Sequence, residues 1–327
     1  MILVVGGAGY IGSHVCKALR RAREEHVIFD NLEKGHERAT GRSNIFFGDL
    51  RDRVSIDRLF SEFEIDLVMH FASYIEVGES VKSPSQYYRN NVGGTLNLLE
   101  AMARAKVDKL VFSSTAAVYG EPVEVPITES HPKNPTNPYG QSKLMVEQML
   151  GDFGHAYGMR SVCLRYFNAA GADPDGALGE DHRPETHLIP RLLLAARDSG
   201  INFKLFGTDY DTPDGTCVRD FVHVADIASA HMLAMEHLKS GGESKAYNLG
   251  TGDGFSVREV LEVAREVTGK EIPVIEEERR PGDPARLVAS SELIQKELGW
   301  KHENSDLKSM VENAWNWMLE YPEGYDR

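Results

Sequence analysis

Two observations on the 327-residue sequence predict an α/β fold, a doubly wound parallel sheet with a smaller mixed α/β domain behind it. Short apolar runs alternate with longer amphipathic stretches through the first half. After about residue 168 that alternation gives way to loops rich in Gly, Pro and Asp. Runs of the first kind belong to strands covered by helices on both faces.

Taken in order, ILVV (2–5), HVIF (26–29), IFF (45–47), DLVMHFA (66–72), KLVFSS (109–114) and SVCLRYF (161–167) read as buried strands. Helical spacing fills 10–23, 52–63, 86–105 and 138–157 between them. Right-handed crossovers carry the carboxyl ends of such strands to one edge, where sheets of this type bind ligands. These segments form a first domain over 1–167. A second, over 168–327, opens with AAGADPDGALGEDHRPE and FGTDYDTPDGT and later carries the amphipathic FSVREVLEVAREVTG. The segment 222–238, VHVADIASAHMLAMEHL, reads as a helix that packs back on the first domain, so the boundary is not a single cut.

An apolar fraction of 41% with 26% charged residues is that of a soluble globular protein. A formal net charge of −14 argues against nucleic acid or an anionic membrane as partner. An anionic ligand therefore needs local arginines, lysines or helix N-termini. No apolar run approaches membrane-spanning length, and MILVVGG enters a strand without the flank of a signal peptide. Cys16, Cys163 and Cys217 are odd in number and far apart, as expected of reduced thiols in a cytoplasmic protein. No metal is expected. The twelve histidines form no H-E-x-x-H, and DYDTPDGTCVRD departs from a calcium loop at Pro213 and Asp220.

The segment ILVVGGAGYIGSHVCKALR is a strand, a glycine-rich turn and a helix. It satisfies G-x-x-G-x-x-G through Gly6, Gly9 and Gly12, and G-x-G-x-x-G through Gly7, Gly9 and Gly12. Such a turn lets the backbone approach a pyrophosphate, to which the helix N-terminus presents N–H donors and a positive dipole. Asp30 ends the second strand, eighteen residues past Gly12, where an acid accepts the ribose hydroxyls and repels a 2′-phosphate. The expected cofactor is NAD rather than NADP. Asp49 and Leu50 end the third strand, suited to an adenine edge and face, and Phe71 and Ala72 end the fourth.

In NPYGQSK (137–143), Asn137 and Pro138 read as N-cap and first helical residue, which sets Tyr139 and Lys143 one turn apart on one face. Five of the fourteen prolines lie between 121 and 138, stiffening the loop that delivers this helix. Upstream, KLVFSSTAAVYG brings Ser113, Ser114 and Thr115 to the ligand edge. A tyrosine acting as a base near neutrality must fall roughly 3 units from about 10, or about 4 kcal/mol. An ammonium about 4 Å away supplies that order of energy at an effective dielectric near 20, and a cationic nicotinamide adds to it. Lys143 is thus expected to activate Tyr139. Thr115 is followed by Ala116 and Ala117, which can move no proton, so a dehydratase is disfavoured. A non-enzymatic NAD sensor would need no Tyr/Lys/Thr set.

Through these residues the chain resembles the extended short-chain dehydrogenase/reductase family, within it the UDP-sugar 4-epimerases, essentially end to end. The resemblance rests on GGAGYIGSH, FDNL, GDLRD, MHFA, VGESV, YYRNNVGGTLNLLE, FSSTAAVYG, NPYGQSKLMVEQ, RYFNAAGA, FGTDYDTPDGTCVRDFVHVAD and RRPGDPA. It implies that Tyr139 takes the proton of the sugar 4-hydroxyl while hydride passes from C4 to NAD, and that Thr115 bonds the same oxygen. The 4-keto sugar then turns over and takes hydride on its other face, interconverting UDP-galactose and UDP-glucose. The resemblance adds Tyr10, Ile11, Asn31, Asn90, Ser113 and Tyr166 to the cofactor contacts, beside Tyr139 and Lys143. Ile75 departs from a lysine that some members place near the cofactor.

On the substrate side the resemblance implies Arg219 and Arg280 on the diphosphate with Asn168, Asp283 on the uridine ribose and Phe206 beside uracil. Leu188 joins them, with His187 where some relatives have Asn. Leu287 falls at the position that shapes the room for the sugar's C2 substituent, between the bulky aromatic of hexose enzymes and the small residue of N-acetylhexosamine enzymes. It leaves the UDP-sugar open. A homodimer through 86–105 and 138–157 is implied by the resemblance alone.

Overall fold

The computed structural model describes residues 1–280 and 283–326. Pro281 and Gly282 of the RRPGDPA motif lie outside the described residues.

The first half of the chain runs β1 (Ile2–Val5), α1 (Tyr10–Arg21), β2 (His26–Asp30), β3 (Asn44–Phe47), α2 (Arg53–Glu62) and β4 (Leu67–His70). Short helices α3 (Val77–Lys82) and α4 (Pro84–Tyr87) lead through a π-helical turn, Tyr88–Gly94, into α5 (Thr95–Ala105). β5 (Lys109–Thr115), α6 (Pro138–Tyr157) and β6 (Arg160–Tyr166) follow. Among the described residues the large sheet has seven parallel strands in the order β3-β2-β1-β4-β5-β6, completed by β11 (Lys245–Leu249). The order reverses between β1 and β4, the switch point at which such sheets open a crevice.

Alternation along the strands builds two cores. Ile2, Val4, Ile28, Leu67 and Met69 face Val15 and Leu19 of α1. Leu3, Val5, Val27, Phe29 and Val68 face Leu59 of α2, Leu98 and Met102 of α5, and Val146 and Leu150 of α6. The expected single helix over 86–105 is three pieces. Buried Asn91 is the reason: its side chain bonds the Tyr74 backbone (2.9 and 3.0 Å) and Ser142 Oγ (3.0 Å), pinning the segment to α6. Gly94 also sits so close to Leu50 that a Cβ would lie 2.9 Å from that side chain's Cβ. The helix widens to i→i+5 bonding where it meets both constraints.

The second half adds β7 (Asn168–Ala170), α7 (Leu188–Arg197), β8 (Phe203–Phe206), β9 (Val218–Arg219), β10 (Phe221–His223) and α8 (Val224–Lys239). After β11 come β12 (Phe255–Ser256), α9 (Val257–Thr268), β13 (Val274–Glu277), β14 (Arg286–Leu287), α10 (Glu292–Leu298) and α11 (Leu307–Glu320). α8 buries Ile227, Ala234 and Leu238 in the same core as α1 and β6. α7, α9 and α11 close a separate core through Leu192, Leu193, Val260, Leu261, Met310 and Val311. The small sheets β7/β10, β12-β9-β14 and β8/β13 complete this half, and Ala170, Phe203, Leu205 and Phe221 from them join that separate core. No helix among the described residues is long and apolar enough to cross a membrane.

Candidate active site

The carboxyl ends of β1 to β6 and the facing elements of the second half enclose one cleft of about 1460 Å³. Except for Gly7 and Ser114, every residue named above as a candidate catalytic, cofactor or substrate contact lines it.

At the cofactor end, Gly6 has φ +80° and so close a neighbour that a Cβ would fall 2.4 Å from Ala72 N. A Cβ on Gly12 would fall 2.3 Å from Gly6 O. Gly9 is the N-cap of α1 with no side-chain cap, so that helix end faces the cleft with backbone N–H groups free for an anion. Asp30 is 9% exposed. Its Oδ2 accepts from Ala8 N and its Oδ1 from Leu32 N, both at 2.9 Å. Burial raises its pKa and those N–H groups oppose the rise. A carboxylate has about four lone-pair positions, so two remain for a ribose diol. A glycine cradle that any Cβ would fill, an uncapped helix end and a half-satisfied acid together fit NAD.

Asp49 is held near pKa 2 by Arg51, and its Oδ2 accepts from Asn31 Nδ2 at 2.9 Å. Arg51 also reaches Glu33 (2.8 Å) and the Tyr74 hydroxyl (3.0 Å), which donates to Glu33 at 2.5 Å. This polar clasp joins the loops after β2, β3 and β4 around buried Leu50, and the sequence reading missed it. Phe71 packs on the His231 ring at 4.7 Å, and Ala72 N donates to Val5 O. Tyr10 donates its hydroxyl to Gly171 O at 2.6 Å while Ile11 lines the cleft beside it. Ile75, the departure noted above, also lines the cleft.

α6 begins as its sequence requires. Asn137 Oδ1 accepts from Gly140 N at 2.9 Å and Pro138 takes the first helical position. Gly140 lets the helix press on the end of β5, since a Cβ there would lie 2.5 Å from Ala117 O. That approach sets Tyr139 against Thr115. Burial raises the Tyr139 pKa above 10, with hydrogen bonding to the Thr115 side chain acting the other way. Lys143 is 3% exposed, donates to Ser113 O at 2.8 Å and stands 4.8 Å over the Phe112 ring. Burial lowers its pKa to about 7, against the pull of Glu147. Lys143 is not among the groups that bring the phenol down in this arrangement. Burial dominates both groups, and the ammonium is turned to a carbonyl.

Tyr166 and Ser113 share a short hydroxyl–hydroxyl hydrogen bond across the ends of β6 and β5. Asn90 Nδ2 donates to Asn91 Oδ1 at 3.1 Å, so the neighbour that was not singled out anchors the one that was. Behind the strand end, Arg165 and Glu147 form a buried bidentate pair (2.6 and 2.8 Å), and Ser114 Oγ donates to Glu147 at 2.6 Å.

At the other end, α7 starts at Leu188 with His187 as N-cap and no side-chain cap. Arg280 lies 4.0 Å over the Phe206 ring. Burial lowers its pKa, Asp283 opposes the drop and Arg191 adds to it. Among the described residues Arg280 has no carboxylate within ion-pair reach, although Glu276, Glu277 and Glu278 precede it closely in the sequence. Arg219 bonds Asp283 and donates to Val218 O (2.8 Å). Asn168 Nδ2 donates to Asp220 O at 2.7 Å. Leu287, like Phe167, packs against the cluster of Val118, Tyr119, Ile127 and Leu144. Arg191, in PRLLLAAR, carried no signal. A further group that sequence reading missed, where no metal was expected, is Glu180, His182, Glu185 and His187, gathered within 4.8 Å.

The chain belongs to the NAD dependent epimerase/dehydratase family, whose model matches residues 2–250. Within it, the chain is 54% identical over 324 residues to the UDP-glucose 4-epimerase of Halalkalibacterium halodurans, covering 99% of this chain and 97% of that protein. Two solved structures are similar throughout. The UDP-glucose 4-epimerase of Brucella ovis in complex with NAD has a TM-score of 0.94 at 47% identity, covering 96% of this chain and 97% of that one. That of Bifidobacterium longum, in complex with NAD+ and UDP, has a TM-score of 0.94 at 41% identity and covers 99% of both.

Proposed function

We propose that the chain is a UDP-glucose 4-epimerase, interconverting UDP-galactose and UDP-glucose through a 4-keto sugar. The observation that carries this reading is one cleft joining a glycine cradle with Asp30, a tyrosine–threonine pair, and arginines at the far end. Full-length identity to enzymes of that name supports it. Bound NAD supplies an acceptor that takes hydride from the sugar C4 and returns it. Gly6, Gly9, Gly12 and Asp30 hold its pyrophosphate and adenosine ribose, and Lys143 its nicotinamide ribose. Tyr139 Oη, as phenolate, takes the proton of the 4-hydroxyl as the C4–O bond becomes a carbonyl. Thr115 donates a hydrogen bond to that oxygen. Arg219, Arg280 and the N-terminus of α7 hold the diphosphate while the sugar turns over. Tyr139 then returns the proton to the other epimer. Lys143 has the charge and position to favour the phenolate once it leaves the Ser113 carbonyl.

In this reading the first domain, 1–167 with 222–238 packed back on it, holds the cofactor, and 168–327 holds the nucleotide sugar. Exposed Leu96 (39%) on α5 and Met145 (36%) on α6 support a homodimer through 86–105 and 138–157. A monomeric mass in solution would refute it. Three buried free cysteines support a cytoplasmic setting. The function is tested by offering UDP-galactose and, separately, UDP-N-acetylgalactosamine to purified protein without added NAD, and following the sugars by NMR. Turnover of UDP-galactose is expected; no turnover of it even with NAD supplied would overturn the reading. Turnover of the second sugar as well would mean that Leu287 leaves room for an acetamido group.

A further inference from the structure

The loop between β7 and α7 gathers two imidazoles and two carboxylates. Glu180, His182, Glu185 and His187 each bring a ligand atom to within 4.8 Å of the others. Of these, only His187 has a place in the epimerase reading, and that reading does not use the cluster. Both imidazoles turn Nδ1 inward. His182 Nδ1 lies 3.1 Å from Glu180 Oε1 and 3.8 Å from Glu185 Oε2. His187 Nδ1 lies 2.8 Å from Glu180 Oε1 and 3.1 Å from Glu185 Oε1. A tetrahedron with bonds of about 2.05 Å has edges of about 3.3 Å, and these four separations straddle that length.

Burial sharpens the case. The Glu180 and Glu185 side chains are only 6% and 9% exposed, and carboxylates withdrawn from water require a cationic partner. His182 Nδ1 is itself out of solvent and has no well-directed hydrogen bond among the described residues. An imidazolium paired with Glu180 is the competing arrangement, and the 3.1 Å contact is poorly directed for it. Two imidazole nitrogens with two carboxylate oxygens, and no thiolate, suit a four-coordinate divalent ion of the zinc type.

We propose that Glu180, His182, Glu185 and His187 form a structural site for a divalent transition-metal cation of the zinc type. All four positions are filled by protein, which marks a closed site rather than one that activates water. The loop it would fix is attached to the cofactor half at two places. His36 Nε2 bonds Asp181 O at 3.0 Å, and Thr186 Oγ1 bonds both Glu76 oxygens at 2.9 Å. His187 is also the N-cap of α7. One cation would thereby brace the wall of the cleft from the loops after β2 and β4 to the start of α7.

The test uses the full chain with its cofactor, stripped with a chelator, then titrated with zinc by calorimetry and assayed for metal after dialysis. One tightly held zinc per chain is expected. His182→Asn and Glu185→Gln should each weaken it by more than the ~10–100-fold that follows loss of an outer-sphere partner, with cofactor content unchanged. Cobalt loaded into the stripped wild-type chain should give the intense visible bands of a tetrahedral site. Three results would overturn the proposal: no tight zinc, zinc retained in both variants, or a weak octahedral cobalt spectrum. Should a variant fail to fold, the wild-type cobalt spectrum decides the matter. None of these readouts requires turnover, so the test stands apart from the epimerase reading.

Discussion

Replacing Lys143 with Met is expected to stabilise the fold while removing most of the activity. The lysine is almost wholly buried, and burial takes its pKa from 10.5 to about 7. At 1.36 kcal/mol per pH unit, that drop is worth about 5 kcal/mol against the folded, charged state. Below pH 7 both folded and unfolded chains carry the proton and the full penalty applies. Between pH 7 and 10.5 the folded lysine releases its proton while the unfolded one keeps it, so the penalty shrinks by about 1.4 kcal/mol per pH unit. Above that range it is gone. Met fills similar volume without charge but leaves Ser113 O unpaired, a loss of about 1–3 kcal/mol. The variant should therefore be more stable by about 2–4 kcal/mol at pH 6, and no more stable than wild type near pH 10. Without the ammonium that favours the phenolate, turnover should fall by about 10³-fold, the equivalent of about 4 kcal/mol. Denaturant titration of cofactor-depleted proteins at pH 6 and pH 10, beside NMR of UDP-galactose turnover, makes the comparison. A stability difference that does not change with pH, or a variant less stable at pH 6, would refute the reasoning.

Tyr139→Phe should lose about 10²–10⁴-fold in turnover, the range for a missing general acid/base, and keep its bound NAD by absorbance. Full activity would remove the tyrosine from the mechanism. Gly12→Ala places a Cβ 2.3 Å from Gly6 O. Relief of that overlap at about 1–3 kcal/mol should weaken NAD binding about 5- to 150-fold, read from the cofactor content of purified protein. Arg280→Ala should raise KM for UDP-galactose about 10- to 150-fold, for the loss of a charge-assisted bond of about 1.5–3 kcal/mol. It should leave NAD content and most of kcat intact; an unchanged KM would take Arg280 off the diphosphate.

What the sequence disclosed follows a physical rule. Gly6, Gly12 and Pro138 do their work through their own backbone and Asn137 through a side chain that reaches three residues along, as tight approach, first helical turn and cap. Such work is written in residue type and spacing. The six apolar strands likewise report their own burial. β11 escaped because Lys245 and Asn248 interrupt its five residues, and its place depends on pairing with β6, whose nearest residue is some eighty positions upstream. The π-helical turn escaped because it answers to Tyr74, Ser142 and Leu50, none of them local. Arg191 and Glu180, His182 and Glu185 acquire meaning only when α7 and the loop before it close over the sheet edge.

Tyr139 and Lys143 fall between these cases. Their spacing was legible because it is a property of one helix, but the balance of charge and burial was not. An argument from spacing alone sets an ammonium against a phenol and concludes that the phenol falls. Packing withdraws both from water, raising one and lowering the other, and each shift disfavours the charged form on which the chemistry depends. A site organised in this way is poorly suited to holding a phenolate by itself. The pair reaches its working charge state only when something else in the cleft rewards it. The cationic nicotinamide, whose ribose the proposed function sets on Lys143, is of the right sign. On this argument the Tyr139 pKa should fall when oxidised NAD binds and rise again when hydride is held, which ties the proton's movement to the hydride's. An ultraviolet titration of the phenol in the cofactor-free and NAD-loaded protein reads the difference. Equal pKa values in the two states would mean that the coupling lies elsewhere.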